Sequence, residues 1–119
     1  MSAHIRLYHN PRCGTSRTVL SQLEEQGIDV EIILYLEQAL SAAKLQELVA
    51  KSGKSAAYLL RSKEAGAASL AQADDAEIIA AIAAEPILLN RPVLETAKQV
   101  FVCRPAAALA DILAEIEEA

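Results

Sequence analysis

Hydrophobic positions along this chain change their period several times, and each change marks an element. In "HIRLYH" alternation sets Ile5 and Leu7 on one face and Arg6 and Tyr8 on the other, as in a short strand. Asn10-Pro11 is a turn signal. The run after it has helical spacing, with Val19, Leu20 and Leu23 on one face and Gly27 just past its end. "VEIILYL", Val30 to Leu36, is almost unbroken β-branched and apolar, the mark of a buried parallel strand. Strand, helix and strand at this spacing make a βαβ unit with a right-handed crossover. Helical stretches follow. Ser41 caps one through Leu45, Leu48 and Val49 to Gly53, and Ser55 opens a shorter one ending near Leu60. Asp74-Asp75 opens "DDAEIIAAIAAE", which Pro86 stops. "RPVLETAKQVFVCRP" reads as a hairpin, Pro92 to Glu95 and Gln99 to Cys103, around Thr96-Ala97-Lys98. Pro105 takes the first position of a last helix whose Leu109, Ile112, Leu113 and Ile116 face inward.

This order of elements is α/β and thioredoxin-like: a βαβ half, a helical insertion over about residues 41–86, and a ββα half completing a four-stranded mixed sheet. The 119 residues are enough for one domain, 1–119, with its own core and no need of metal or disulfide staples. With 53% hydrophobic residues, few aromatics and no Trp, the chain suits helices packed around a small sheet. A net charge of -5 and a pI near 5.0 exclude nucleic acid and anionic membrane surfaces as expected partners. The start, "MSAHIRLYHN", lacks the features of a signal peptide. No apolar run reaches the ~18 residues of a membrane span; the nearest, Ile78 to Leu89, is cut by Glu85 and Pro86. A cytoplasmic protein with reduced thiols is therefore expected, and Cys13 and Cys103 are not expected to form a structural disulfide.

The candidate chemistry lies in "HNPRCGTSRTVL". Cys13 falls between the first strand and the first helix, where backbone N–H groups are unpaired and the helix dipole is positive. Both favour a thiolate, the reactive form of cysteine. His9, Arg12 and Arg17 are cationic candidates beside it, and the Gly14, Thr15 and Ser16 amides form a ready anion site, with Gly14 letting the backbone come close. The alternative for Cys13 is a small buried hydrophobe at a strand–helix joint. Arg91-Pro92 and Arg104-Pro105 hold two arginines in extended poses, and either bond can be cis. Arg104 would stand at the N-cap of the last helix, where a cation opposes the dipole; such local conflicts tend to mark functional sites. Arg61, after "AYLL", can reach inward. Guanidinium groups bind tetrahedral oxyanions through paired, charge-assisted hydrogen bonds.

"HNPRCGTSR", "LLR", "LLNRP" and "VCRP", in that order from Ile5 to about Ile116, resemble the glutaredoxin-coupled arsenate reductase (ArsC) family. The resemblance implies a thioredoxin-like fold with a helical insertion and Cys13 as the nucleophile that attacks arsenate. It also implies Arg61, Arg91 and Arg104 as the oxyanion-binding trio, with His9 helping to depress the thiol. Glutathione would be a co-substrate and glutaredoxin the partner that resolves the mixed disulfide; no bound cofactor is expected. The chain departs from that pattern in "SKEAGAASLAQA", in its short hairpin turn and in stopping soon after the last helix.

Other classes fit less well. A phosphatase-like cysteine loop, C-x5-R, fails because the sixth residue after Cys13 is Val19. A C-x-x-C dithiol fails because the partner position is Ser16, which can instead cap the helix or donate to the thiolate. Two cysteines and two histidines show no zinc spacing, so no metal is expected. Cys103, in "VFVC", reads as a buried hydrophobe or a resolving thiol. A thiol oxidoreductase acting on another substrate and a Spx-like regulatory adaptor are the alternatives to arsenate reduction. A depressed thiol pKa favours either enzyme, whereas an adaptor needs none.

Overall fold

The computed structural model describes residues 5–61, 67, 70, 72–103 and 109–118, with only the backbone for 115–118. The alternating segment Ile5–Tyr8 is strand β1, Gly14–Glu25 is helix α1 and Val30–Ile33 is β2. Helices α2 and α3 are Ala42–Ser52 and Asp75–Ala84; β3 is Val93–Glu95, β4 is Val100–Val102, and Leu109–Glu118 is α4. β1 pairs parallel with β2 and antiparallel with β3, which pairs antiparallel with β4. The sheet is therefore mixed, in the order β2-β1-β3-β4, and the fold is thioredoxin-like as expected.

Period-two alternation divides the apolar residues between two faces. On one face Ile5, Leu7 and Leu94 pack with Val19 and Leu23 of α1 and Leu109, Ile112 and Leu113 of α4. On the other, Tyr8, Val93 and Val102 pack with Leu45 and Leu48 of α2 and Ile78, Ile79 and Ile82 of α3. Each fully buried Leu or Ile contributes roughly 1.5–3 kcal/mol. Helices α2 and α3 thus supply much of the cover of the second sheet face. Their caps are those read from the sequence: Ser41 Oγ accepts from the Lys44 N–H at 3.1 Å, and Asp74 Oδ1 accepts from the Glu77 N–H at 2.9 Å. Gly53 closes α2 with φ at 70°, a conformation that other residues rarely adopt. The stretch from Ser55 is a 3-10 turn, Ala56–Leu59. Its Tyr58 hydroxyl accepts from the Val102 N–H at 2.8 Å, which satisfies a donor of edge strand β4. Among the described residues no helix is long and apolar enough to cross a membrane. The expected N1 position of Pro105 and the inward Ile116 lie outside the described side chains.

The second strand corrects the sequence reading. It is shorter than Val30 to Leu36 and lies at the sheet edge, with Glu31 exposed and Ile32 44% exposed. With β1 as its single neighbour among the described residues, it is half-covered rather than buried. The chain then turns, as Glu37 and Gln38 both donate to the Leu34 carbonyl at 2.9 Å.

A buried carboxylate ties α2 to the sheet. Glu95 is 1% exposed. Its oxygens accept from Tyr8 Oη at 2.6 Å, Lys44 Nζ at 3.0 Å and Lys51 Nζ at 2.6 Å. Burial, the largest influence, pushes the carboxyl up. The hydrogen bonds from Lys51, Tyr8 and Lys44 outweigh it and hold Glu95 down to about 2. A depressed folded pKa stabilises above the unfolded value near 4.5, and that contribution, about 3 kcal/mol at full ionisation, is lost as pH falls toward 2. The melting temperature of the wild type should therefore drop between pH 5 and pH 2.5. Glu95→Gln should start lower, by roughly 3 kcal/mol, and be much flatter over that range. Parallel thermal melts of the two proteins check this, and equal slopes would remove Glu95 as the cause.

Candidate active site

The loop from His9 to Cys13 is set by short-range bonds. Asn10 Oδ1 accepts from the Arg12 N–H at 2.9 Å, and the Asn10 carbonyl accepts from the Cys13 N–H at 3.0 Å. These bonds place Cys13, in an extended conformation, at the N-cap of α1. Its side chain is 9% exposed, with its sulfur by the N–H groups of Thr15 and Ser16 and the guanidinium of Arg91. Burial, the largest single influence, pushes the thiol up. The Ser16 N–H, the charge and hydrogen bond of Arg91 and the Thr15 N–H together outweigh it, so the net shift is downward.

Ser16 neither caps the helix nor serves as a second thiol. It is fully buried, with its Oγ accepting from the Asn10 N–H at 3.1 Å and lying 2.7 Å from His9 Nδ1. The His9 imidazole is pushed down, first by burial and then by the charge of Arg17, which favours its neutral form. His9 is joined to the loop of Cys13 through Ser16. Arg12 is exposed, and Arg17 Nη1 donates to the Pro11 carbonyl at 2.8 Å. Both frame the loop, while the foremost cationic influence on the sulfur is Arg91. At Gly14 an added Cβ would meet Arg17 Nη2 at 3.8 Å, ordinary contact, so nothing among the described residues requires the close approach expected there.

Two of the three expected arginines converge. The Arg61 N–H donates to the Leu88 carbonyl and the Asn90 N–H to the Leu59 carbonyl, both at 2.7 Å, around a Leu60–Leu89 bridge. This short ladder brings Arg61 alongside the Asn90-Arg91 corner. The Arg91–Pro92 bond is cis, and the Arg91 side chain is 7% exposed. Tyr35 belongs to the same neighbourhood, since its hydroxyl feels Arg91, Asn10, Cys13 and Arg61. Burial, foremost, raises that phenol to about 12. Arg104 lies outside the described residues, and Cys103 before it donates its N–H to the Pro92 carbonyl at 3.0 Å.

The sequence reading passed over Tyr35 and Asn10. Tyr35 bears the one hydroxyl in "VEIILYL", and Asn10 was read as a turn signal alone. Cys103 is fully buried against the core of the α1 and α4 face, and burial pushes its thiol up to about 12. Among the described residues no group of three or more His, Cys, Asp or Glu side chains could hold a metal ion. A cleft of about 380 Å³ runs along the loop, lined by His9, Asn10, Pro11, Arg12, Leu34, Leu36 and Glu37.

The family model described as ArsC family matches residues 8–112. An arsenate reductase of Escherichia coli is 38% identical over 122 residues, spanning 98% of this chain and 86% of its own length. One from Rhizobium meliloti is 34% identical, spanning 92% and 81%. Among solved structures, an arsenate reductase from Vibrio cholerae superposes with a TM-score of 0.85 at 32% identity, covering 94% of this chain and 99% of that one.

Proposed function

The chain belongs to the ArsC family, and from its site we propose that it reduces arsenate to arsenite through a covalent Cys13–arsenate intermediate, with glutathione and glutaredoxin supplying the electrons. The observation that carries this reading is the Cys13 sulfur, held at the N-terminus of α1 by two backbone N–H groups and the buried Arg91. Such a site favours both a thiolate and an anion in front of it. The relatives named arsenate reductases supply the substrate.

Arsenate is held by Arg61, Arg91 and Arg104 together with the Gly14 to Ser16 amides. Positive groups fixed in advance act most strongly where charge builds up in the transition state. The Cys13 thiolate forms an S–As bond, and one arsenate oxygen leaves as water after taking up protons from arsenate or solvent. A second thiol then attacks the adduct. The S–As electron pair passes to arsenic, which departs as arsenite, and the two sulfurs remain joined as a mixed disulfide. That second thiol comes from another molecule, because Cys103 is fully buried and its thiol lies far above neutral. Glutathione fits this role, approaching along the cleft beside Arg12, and glutaredoxin then restores Cys13.

Arsenate-dependent NADPH oxidation, coupled through glutathione, glutaredoxin and glutathione reductase, tests the reading. Turnover is expected with all components and should stop when either glutathione or glutaredoxin is omitted. A Cys13 that alkylates rapidly at neutral pH without any arsenate turnover would overturn the substrate. Turnover that continues without glutaredoxin would overturn the coupling.

A further inference from the structure

Tyr35 places a polar group inside the core. Its side chain is 1% exposed and packed among Tyr8, Leu45, Ile82 and Leu89. Yet among the described residues its buried hydroxyl has no hydrogen-bond partner. Asn10 acts on it as a hydrogen-bonding neighbour, although no bond of standard length and angle joins the two side chains. A buried hydroxyl without a partner is a standing cost to the folded protein, and each such group calls for an explanation. The surroundings offer one, because besides Asn10 the groups that the hydroxyl feels are Arg91, Arg61 and Cys13, the three to which the reading above assigns the oxyanion. The chain also steers it there. The His9 N–H donates to the Ile33 carbonyl at 2.9 Å, which holds the end of β2, two residues before Tyr35, against the loop that carries Cys13.

We propose that the Tyr35 hydroxyl is a neutral hydrogen-bond donor to the tetrahedral oxyanion bound between Cys13 and Arg91, a role that rests on the oxyanion reading above. The phenol stays protonated across the physiological range, since burial holds it near 12. It therefore donates at every pH at which the thiolate attacks. A guanidinium can only donate. A hydroxyl can also accept, so Tyr35 suits an anion that carries both bare and protonated oxygens, as arsenate does near neutral pH. The neutral donor adds a directed bond without deepening a field already set by two arginines. Its partner arrives with the substrate, which accounts for its lack of one among the described residues.

The test is Tyr35→Phe, which keeps the ring and removes the oxygen. Alkylation of Cys13 by iodoacetamide is followed with and without arsenate, beside thermal melts of both proteins. The variant should melt at or above the wild-type temperature and alkylate at the wild-type rate without arsenate. The arsenate concentration that half-protects Cys13 should rise by about 10-fold or more. Wild-type protection retained in Tyr35→Phe would overturn the role of Tyr35 alone. A variant that melts well below the wild type would assign the hydroxyl to the fold and overturn it too. A wild-type Cys13 that arsenate does not protect would overturn the oxyanion reading and this proposal with it.

Discussion

Replacing Cys13 with serine is expected to remove arsenate turnover down to background, at least about 10⁴-fold, while leaving the fold intact or more stable. Two losses combine. A serine hydroxyl is not ionised near pH 7, so the nucleophile is gone even though the Thr15 and Ser16 amides and Arg91 still point at the position. A serine ester of arsenate also cannot pass electrons to arsenic by forming a disulfide. The fold should respond the other way, because position 13 is the N-cap of α1 and serine is among the preferred N-cap residues. The melting temperature should therefore hold or rise, by up to about 1 kcal/mol in stability. Steady-state turnover and a thermal melt on the same preparation check both signs. In the wild type, Cys13 alkylation followed against pH should have its midpoint below the ordinary thiol value of 9.0, the direction set by the two amides and Arg91 against burial. Serine-variant turnover within tenfold of wild type would remove Cys13 as the nucleophile.

What the sequence made legible was local, and what it hid was tertiary. Ser41, Gly53 and Asp74 were readable because a cap is written within four residues of the helix end that it serves. The hairpin was readable from the two apolar runs around Thr96-Ala97-Lys98. The position of Cys13 at a helix start, and Arg91 held before a proline, were also local facts, and the fold joined them. The exposure of β2 was not readable. "VEIILYL" looks the same whether one strand or two lie beside it, and only the sheet order makes Val30–Ile33 an edge. The Glu95 cluster was hidden for a related reason. Lys44 and Lys51 sit two turns apart on one face of α2, but what they meet is a carboxylate from a distant hairpin and a tyrosine from the first strand. Tyr35 escaped notice because its aromatic ring fits the apolar pattern while its hydroxyl does not. His9 was legible as a neighbour of the loop, but its charge state depends on burial, which periodicity does not report.

Arg91→Lys should keep the formal charge and still lower kcat/KM for arsenate by roughly 10²- to 10³-fold, the scale of losing one fixed donor to a developing oxyanion. Three effects act in the same direction. The guanidinium offers a planar fork that can grip two oxygens, whereas an ammonium is a compact point donor. The site is buried, with Arg91 only 7% exposed. A lysine there is more strongly hydrated and loses its proton more readily than arginine, so part of the charge is lost as well. Finally, Arg91 hydrogen-bonds and charge-stabilises the Cys13 sulfur, so a shorter and poorly aimed cation should let the thiol pKa rise. The sign follows from Arg91 acting downward on a group that burial pushes up. Two measurements separate these contributions. The alkylation midpoint of Cys13 should move to higher pH in Arg91→Lys and further in Arg91→Ala, which reports the thiolate alone. Turnover at a pH above both midpoints, where the thiolate is fully formed, should remain depressed in Arg91→Lys, which reports the lost grip on the oxyanion. Full recovery of turnover at that pH would mean that Arg91 serves the nucleophile and not the substrate. A lysine variant with wild-type kcat/KM at neutral pH would take Arg91 out of the site altogether.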